Sequence, residues 1–207
     1  MRIRSITKLL ILMMLMAACV PAATSRAPNT IVVPAVTNKP AATATPTEVP
    51  VSAKLSPAPF EAETYINMEF GFALDYPARW MVHENIVNDP PQIQFFSSTE
   101  LIESAVLPEG ASRVTAVIDD WEPKNDLPAY VANWKTAWES SGLTIVEEQP
   151  LVLDLGLNAV LFKLKTPDSS AVILITALGD KYMILSGEGD LELAKEILQR
   201  LRPISVK

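Results

Sequence analysis

One cysteine and one histidine stand in the 207 residues of this chain, and its 17 Lys and Arg are outnumbered by 24 Asp and Glu. Each shortage closes off a class of protein. A lone cysteine excludes an internal disulfide framework and a thiolate-built metal cluster, so stability has to come from packing. A lone histidine, His83, means that any Ser-His-Asp or Cys-His unit would have to be built on that residue, and no Gly-x-Ser-x-Gly supplies a nucleophile elbow. The deficit of basic residues, a formal net charge of −7, disfavours nucleic acid and a polybasic grip on an anionic leaflet. Long apolar runs are also missing. The longest, Leu9 to Ala18, is about half of the roughly 20 residues that a bilayer span needs.

That short run is informative because of what surrounds it. Arg2, Arg4 and Lys8 precede it, and the small residues Ala17 and Ala18 lead directly into Cys19. Charged, apolar and small residues in that order make a secretory signal. The stretch "LMAAC" resembles a bacterial lipoprotein signal, in which small residues stand before an obligatory cysteine; Leu15, Ala17, Ala18 and Cys19 match, while Met16 replaces the usual branched aliphatic residue. The resemblance implies removal of residues 1–18, attachment of a diacylglycerol to the Cys19 sulfur, and acylation of the new amino terminus. Two or three acyl chains, at about 0.8 kcal/mol per buried methylene, hold a protein on a membrane where one barely would. The alternative is a plain secretory signal that happens to end near a cysteine. Removal of residues 1–18 takes three basic residues and no acidic one, leaving 14 against 24 and a net charge of about −10.

Residues 19–59 are rich in Pro, Ala and Thr, lack aromatic side chains and carry little charge. Such a segment cannot bury enough surface to fold and reads as a disordered tether. Extended by its prolines, it would reach on the order of 120 Å at about 3.1 Å per residue, or about 35 Å as a flexible coil.

Folding signals begin at Phe60, and residues 60–207 read as a single domain. "ETYINMEFGFALDYP" predicts a hairpin. "QIQFF" (92–96), "RVTAVID" (113–119), "TIVEEQPLVL" (144–153), "NAVLFKLKT" (158–166), "AVILITAL" (171–178) and "KYMILSG" (181–187) predict successive antiparallel strands, by their alternation and β-branched content. Two helices are expected. One runs from an Asp126 cap with Leu127, Val131, Trp134 and Trp138 on one face to a stop at Gly142. The other runs from an Asp190 cap with Leu191, Ala194, Leu198 and Leu201 on one face to a stop at Pro203. The stretch 98–106 could form a short third helix or an insertion.

The hairpin closing in "GFALDYPARW", the strand "RVTAVID", the helix "YVANWKTAW", four further strands and an end in "LQRLRPI" together resemble the Mog1p/PsbP-like group. The resemblance covers roughly 60–207 and is carried most specifically by Tyr76, Pro77, Trp80, the Gly-Asp before "KYMIL" and the last amphipathic helix. It implies an α+β domain, an α/β/α sandwich with a central antiparallel sheet flanked by helices. The group's named members act by binding other proteins. No ligand set carries over residue by residue.

Among candidate sites, His83 reads as an ordinary residue at the end of a strand. Asp119, Asp120 and Glu122 in "DDWEP" lack the alternate ligands and central Gly of a calcium loop and read as solvated. "SGEGD" (186–190) could cradle phosphate at a helix start, yet Glu188 and Asp190 would repel it, so a capped turn is expected. Trp134 and Trp138 read as core. Trp121, beside charged residues, is the aromatic side chain that could contact a partner, with core packing as its alternative. These readings imply no catalytic residue, no metal site and no cofactor. They point to a lipid-anchored, extracytoplasmic lipoprotein acting as a non-enzymatic protein-binding or assembly module, with an envelope protein as partner and no nucleic acid. The alternative is a surface small-ligand or metal binder, or a hydrolase with a carboxylate-lined pocket.

Overall fold

The computed structural model describes residues 51–52, 57–87, 89–98, 107–165 and 169–204. The signal 1–18, Cys19, most of the tether and residues 99–106 lie outside them. In chain order the elements are β1 (Val51–Ser52), β2 (Ala62–Asn67), β3 (Phe72–Pro77), β4 (Met81–Asn85), β5 (Gln92–Phe96), β6 (Arg113–Asp119), α1 (Leu127–Ser140), β7 (Thr144–Val152), β8 (Asn158–Lys165), β9 (Ser170–Leu178), β10 (Lys181–Glu188), α2 (Leu191–Leu198) and β11 (Leu201–Pro203). The fold is α+β, built on mostly antiparallel sheet.

The strands fall into two sheets, where the sequence led to the expectation of one central sheet. The larger has the order β1-β7-β8-β9-β10-β6-β5-β4 and the smaller β11-β3-β2. Alternation explains why the long strands form where the sequence places them. In β6 (RVTAVID) residues Val114, Ala116 and Ile118 are buried and their neighbours less so, as a strand with one well-covered face requires. In β10, Tyr182 and Ile184 join one apolar cluster while Met183 and Leu185 join the other, so this strand is covered on both faces.

The first cluster gathers Phe162, Leu164, Ile175, Tyr182 and Ile184 of the sheet around Tyr130, Val131 and Trp138 of α1. The second gathers Leu161, Leu174, Met183 and Leu185 around Ile197 and Leu198 of α2 and Phe72, Leu74 and Leu201 of the small sheet. Each fully buried side chain of this size contributes about 1.5–3 kcal/mol. Helix α1 starts as expected, with the Asp126 side chain accepting a hydrogen bond from the Ala129 amide at 2.9 Å.

The second helix ends earlier than the sequence suggested. It stops at Leu198, and Leu201–Pro203 form β11 against Leu74–Phe72. The Arg200 amide closes the last turn on the Ile197 carbonyl at 3.0 Å, and the Ile204 amide bonds to the Gly71 carbonyl at 2.9 Å. Leu201 is fully buried, as expected, but as a strand residue covering β3 rather than as a helical one. The residues Val51–Ser52, within the stretch read as tether, form β1 in parallel with Leu151–Val152.

An ion pair fastens the small sheet. Arg202 Nη1 and Nη2 donate to the two oxygens of Asp75 at 2.8 and 2.9 Å, and Thr64 Oγ1 donates to Asp75 Oδ1 at 2.6 Å, joining β11, β3 and β2. Burial of the Asp75 carboxyl pushes its pKa up, but the hydrogen bonds from Arg202 and Thr64 and the Arg202 and Arg200 charges outweigh it, and the net shift is downward from the ordinary 3.8. A folded-state pKa lowered in this way contributes stability above the unfolded value, and that stability is lost as pH falls through 3.8 toward the folded value. Arg202→Met is expected to cost about 1–2 kcal/mol at pH 7. Urea unfolding at pH 7 and below pH 4 should show the gap between wild type and variant narrowing on acidification.

Candidate functional site

The loop between β6 and α1 is shaped by tyrosines that face inward. Tyr182, 1% exposed on β10, accepts a hydrogen bond from the Asp126 amide at 2.8 Å and donates one to the Pro123 carbonyl at 2.7 Å. One hydroxyl therefore holds both ends of the turn that positions the helix cap, while Asn125 within it takes a positive φ of 58°. Tyr130, in the first turn of α1, stacks on Tyr182 with ring centroids 4.1 Å apart and 16° between planes. Its hydroxyl donates to Asp119 Oδ2 at 2.6 Å. Burial, then the Asp119 carboxylate beside it, raises the Tyr130 pKa far above the ordinary phenol value, so it stays a neutral donor.

Trp121 sits on this pair, 5.3 Å from the Tyr130 ring and 5.9 Å from Tyr182. It is half-buried at the end of the aromatic cluster. The acidic residues around it are engaged. Asp120 pairs with Lys124 and, at 3.0 Å, with Lys181; Glu122 Oε2 accepts from the Lys124 amide at 3.0 Å. Among the described residues no three His, Cys, Asp or Glu side chains converge as a metal site.

Immediately beyond the loop, α1 and the sheet leave an open groove of about 530 Å³. Its floor is Leu127, Pro128, Val131, Ala132 and Val160; its rim is Lys135, Thr136, Glu139 and Glu148. Lys135 Nζ and Glu148 Oε2, 2.5 Å apart, span it from helix to β7. Leu127 and Val131 of the groove belong to the same apolar cluster as the Trp121 ring. A second cavity of about 30 Å³, beside Glu147, Lys163, Glu192 and Lys195, is the size of a single water. One ion pair, Lys135 to Glu148, crosses the larger groove, while Thr136 Oγ1 donates to the Ala132 carbonyl of its own helix at 3.0 Å and the rest of the lining is largely apolar, which suits it to covering an apolar ridge.

The other sequence candidates are accounted for separately. Cys19 lies outside the described residues. His83 is exposed on β4 with Gln94 across from it. "SGEGD" forms the expected capped turn, with Asp190 Oδ1 accepting from the Glu192 and Leu193 amides, both at 3.1 Å. Trp134 and Trp138 continue the aromatic cluster toward Phe162, which lies 5.1 Å from Trp138. Sequence reasoning missed the groove. Its only linear trace is a second stripe on α1, Leu127, Val131, Lys135 and Glu139 at four-residue spacing, beside the core face.

No family model matches the chain, and no curated protein sequence does. Among solved structures, the solution structure of cyanobacterial PsbP (CyanoP) from Synechocystis sp. PCC 6803 aligns with a TM-score of 0.50 at 12% identity, over 73% of this chain and 96% of that one. A Pseudomonas aeruginosa protein of unknown function, PA94, aligns with a TM-score of 0.44 at 16% identity, over 70% of this chain and 98% of that one. At these identities a likeness speaks for the fold and carries across neither ligand nor partner. The domain is similar in fold to cyanobacterial PsbP, in keeping with the Mog1p/PsbP-like resemblance read from the sequence.

Proposed function

We propose that this protein is a membrane-anchored, extracytoplasmic lipoprotein whose domain is a non-enzymatic protein-binding or assembly module. The observation that carries the reading is the α1 groove, an open and largely apolar concavity crossed by one ion pair, Lys135 to Glu148. A protein surface uses such a feature to seat a partner's side chains, and the half-buried Trp121 in the loop before α1 is a second aromatic candidate for contact. In layers we read the domain as an α/β/α sandwich, α1 forming one outer layer and α2 with the small sheet the other.

Anchoring by Cys19 confines the domain to the membrane face, where high local concentration makes weak contacts effective. Cys19→Ser tests this directly. In cells fed radiolabelled palmitate, the wild-type chain is expected to take up label and sediment with membranes, and the variant to do neither. Label on the variant, or a wild-type chain found wholly in the soluble fraction, would remove the anchor from the reading.

A further inference from the structure

We propose that the α1 groove, when no partner is bound, is occupied by the chain's own tether segment Ile31–Val33, a strap that a partner has to displace. Release by a partner rests on the binding-module reading. The occupancy itself stands on the groove, on where the chain enters the domain and on one oddity of the tether. Residues 20–50 are rich in Pro, Ala and Thr, and large apolar residues adjoin there in one place, "TIVVPAV" (30–36). A solvated spacer has no use for Ile31, Val32 and Val33 side by side. The groove offers them a lining of matching kind in Leu127, Pro128, Val131, Ala132 and Val160.

Entry point and length put the segment within reach. Val51 pairs in parallel with Leu151, and the residue before that on β7, Pro150, stands opposite Val160 of the groove floor. The chain therefore joins the sheet two strand spacings, about 10 Å, from the groove. Residues 34–50 connect the run to β1. As a flexible coil they span about 23 Å, and extended about 50 Å, so the distance is met without stretching and the run is present at a local concentration on the order of millimolar. The same run from a second copy has no such connection and competes only at bulk concentration. Charge agrees. Residues 27–38 carry no charged side chain, and Lys135 already pairs with Glu148 across the groove. An uncharged occupant covers the lining without bringing an unpaired charge out of water. The strap also sets reach. With the run seated, residues 20–30 alone separate Cys19 from the groove, about 35 Å extended; with it released, residues 20–50 give about 95 Å. A partner that displaces the run frees both the groove and the domain's range above the membrane.

The test uses the full chain in detergent micelles, with a photoreactive amino acid at Val32 or, as a control nearer to the domain in sequence, at Ala42. After irradiation and digestion, mass spectrometry should place the position-32 adduct on residues 127–139 or Val160 of the same chain, and the position-42 adduct elsewhere. In membranes, with the photoreactive residue at Ala132 instead, Ile31→Asp with Val33→Asp should raise the yield of partner adduct about tenfold, the gain from freeing a groove that is filled about nine-tenths of the time. Both substitutions lie outside the folded domain, so misfolding does not confound them. Position-32 adducts scattered over the domain, adducts that join two chains, or a partner adduct whose yield the Asp pair leaves unmoved overturn the proposal. If the partner adduct from position 132 persists while position 32 never reaches α1, the strap falls and the binding-module reading stands. A strap adduct with no partner adduct in either form keeps the occupancy and removes that reading.

Discussion

Gly189→Ala is expected to cost more than about 3 kcal/mol, a large share of the roughly 5–15 kcal/mol by which a domain of this kind is stable. Gly189 takes φ +91°, where a side chain is strained in any surroundings. Here the surroundings are also closed. A Cβ would lie 2.2 Å from the Ala111 carbonyl oxygen and 2.8 Å from Ser112 Cα, both backbone atoms that cannot step aside as a flexible side chain would. The turn cannot move as a unit either. The Asp190 amide donates to Ser112 Oγ at 3.0 Å, and the Ser112 amide donates to Ser97 Oγ at 2.8 Å, so the start of α2 is stitched to the ends of β5 and β6. Circular dichroism on heating should show the variant melting far below wild type or without a cooperative transition. A melting temperature within a few degrees of wild type would mean that the turn is looser than described.

The second large effect is expected at Phe95. It is fully buried on β5, beneath the small sheet, with Tyr65 meeting it edge-on at 5.4 Å and Tyr76 at 5.2 Å. These contacts join the β2–β3 hairpin to the large sheet, so truncation removes transfer energy, leaves a cavity and weakens the join at once. Phe95→Ala should lose about 3–5 kcal/mol by urea unfolding. Phe95→Leu, which refills much of the space, should lose less than half of that. Equal losses for the two would place the cost in the aromatic geometry rather than in the volume. Tyr65 offers a spectroscopic check. Burial, with Glu84 beside it, pushes its pKa up to about 12, and opening the join would let it titrate nearer 10.

Much of this fold was legible in the chain because the determining pattern is local. The segments "QIQFF" and "RVTAVID" match β5 and β6 to the residue, since alternating burial writes itself into a sequence at period two. The same holds for α1, whose Asp126 cap and Gly142 stop bracket an apolar stripe. What stayed hidden depends on distant partners. Leu201 continues the apolar spacing of α2, and nothing near it says that Phe72–Leu74 lacks a neighbour and that Asp75 awaits Arg202. The two-residue β1 has no composition to separate it from the prolines and threonines around it; β7 makes it a strand. Trp121 was read as a candidate contact with a core alternative, and the structure gives its packing, half-buried against Tyr130 and Tyr182. The groove escaped because its floor combines α1 with Val160 of β8, residues that only the folded sheet brings together.

The α1 groove is the surface proposed to meet a protein partner at the membrane. The most direct test places a photoreactive amino acid at Ala132, exposed on the groove floor, and at Arg79, exposed in the turn between β3 and β4, in the full chain expressed in its own membranes. Irradiation should yield one discrete adduct with an envelope protein from position 132 and none of that size from position 79. The same adduct from both positions, or none from the groove in a chain shown to be folded and anchored, would contradict it.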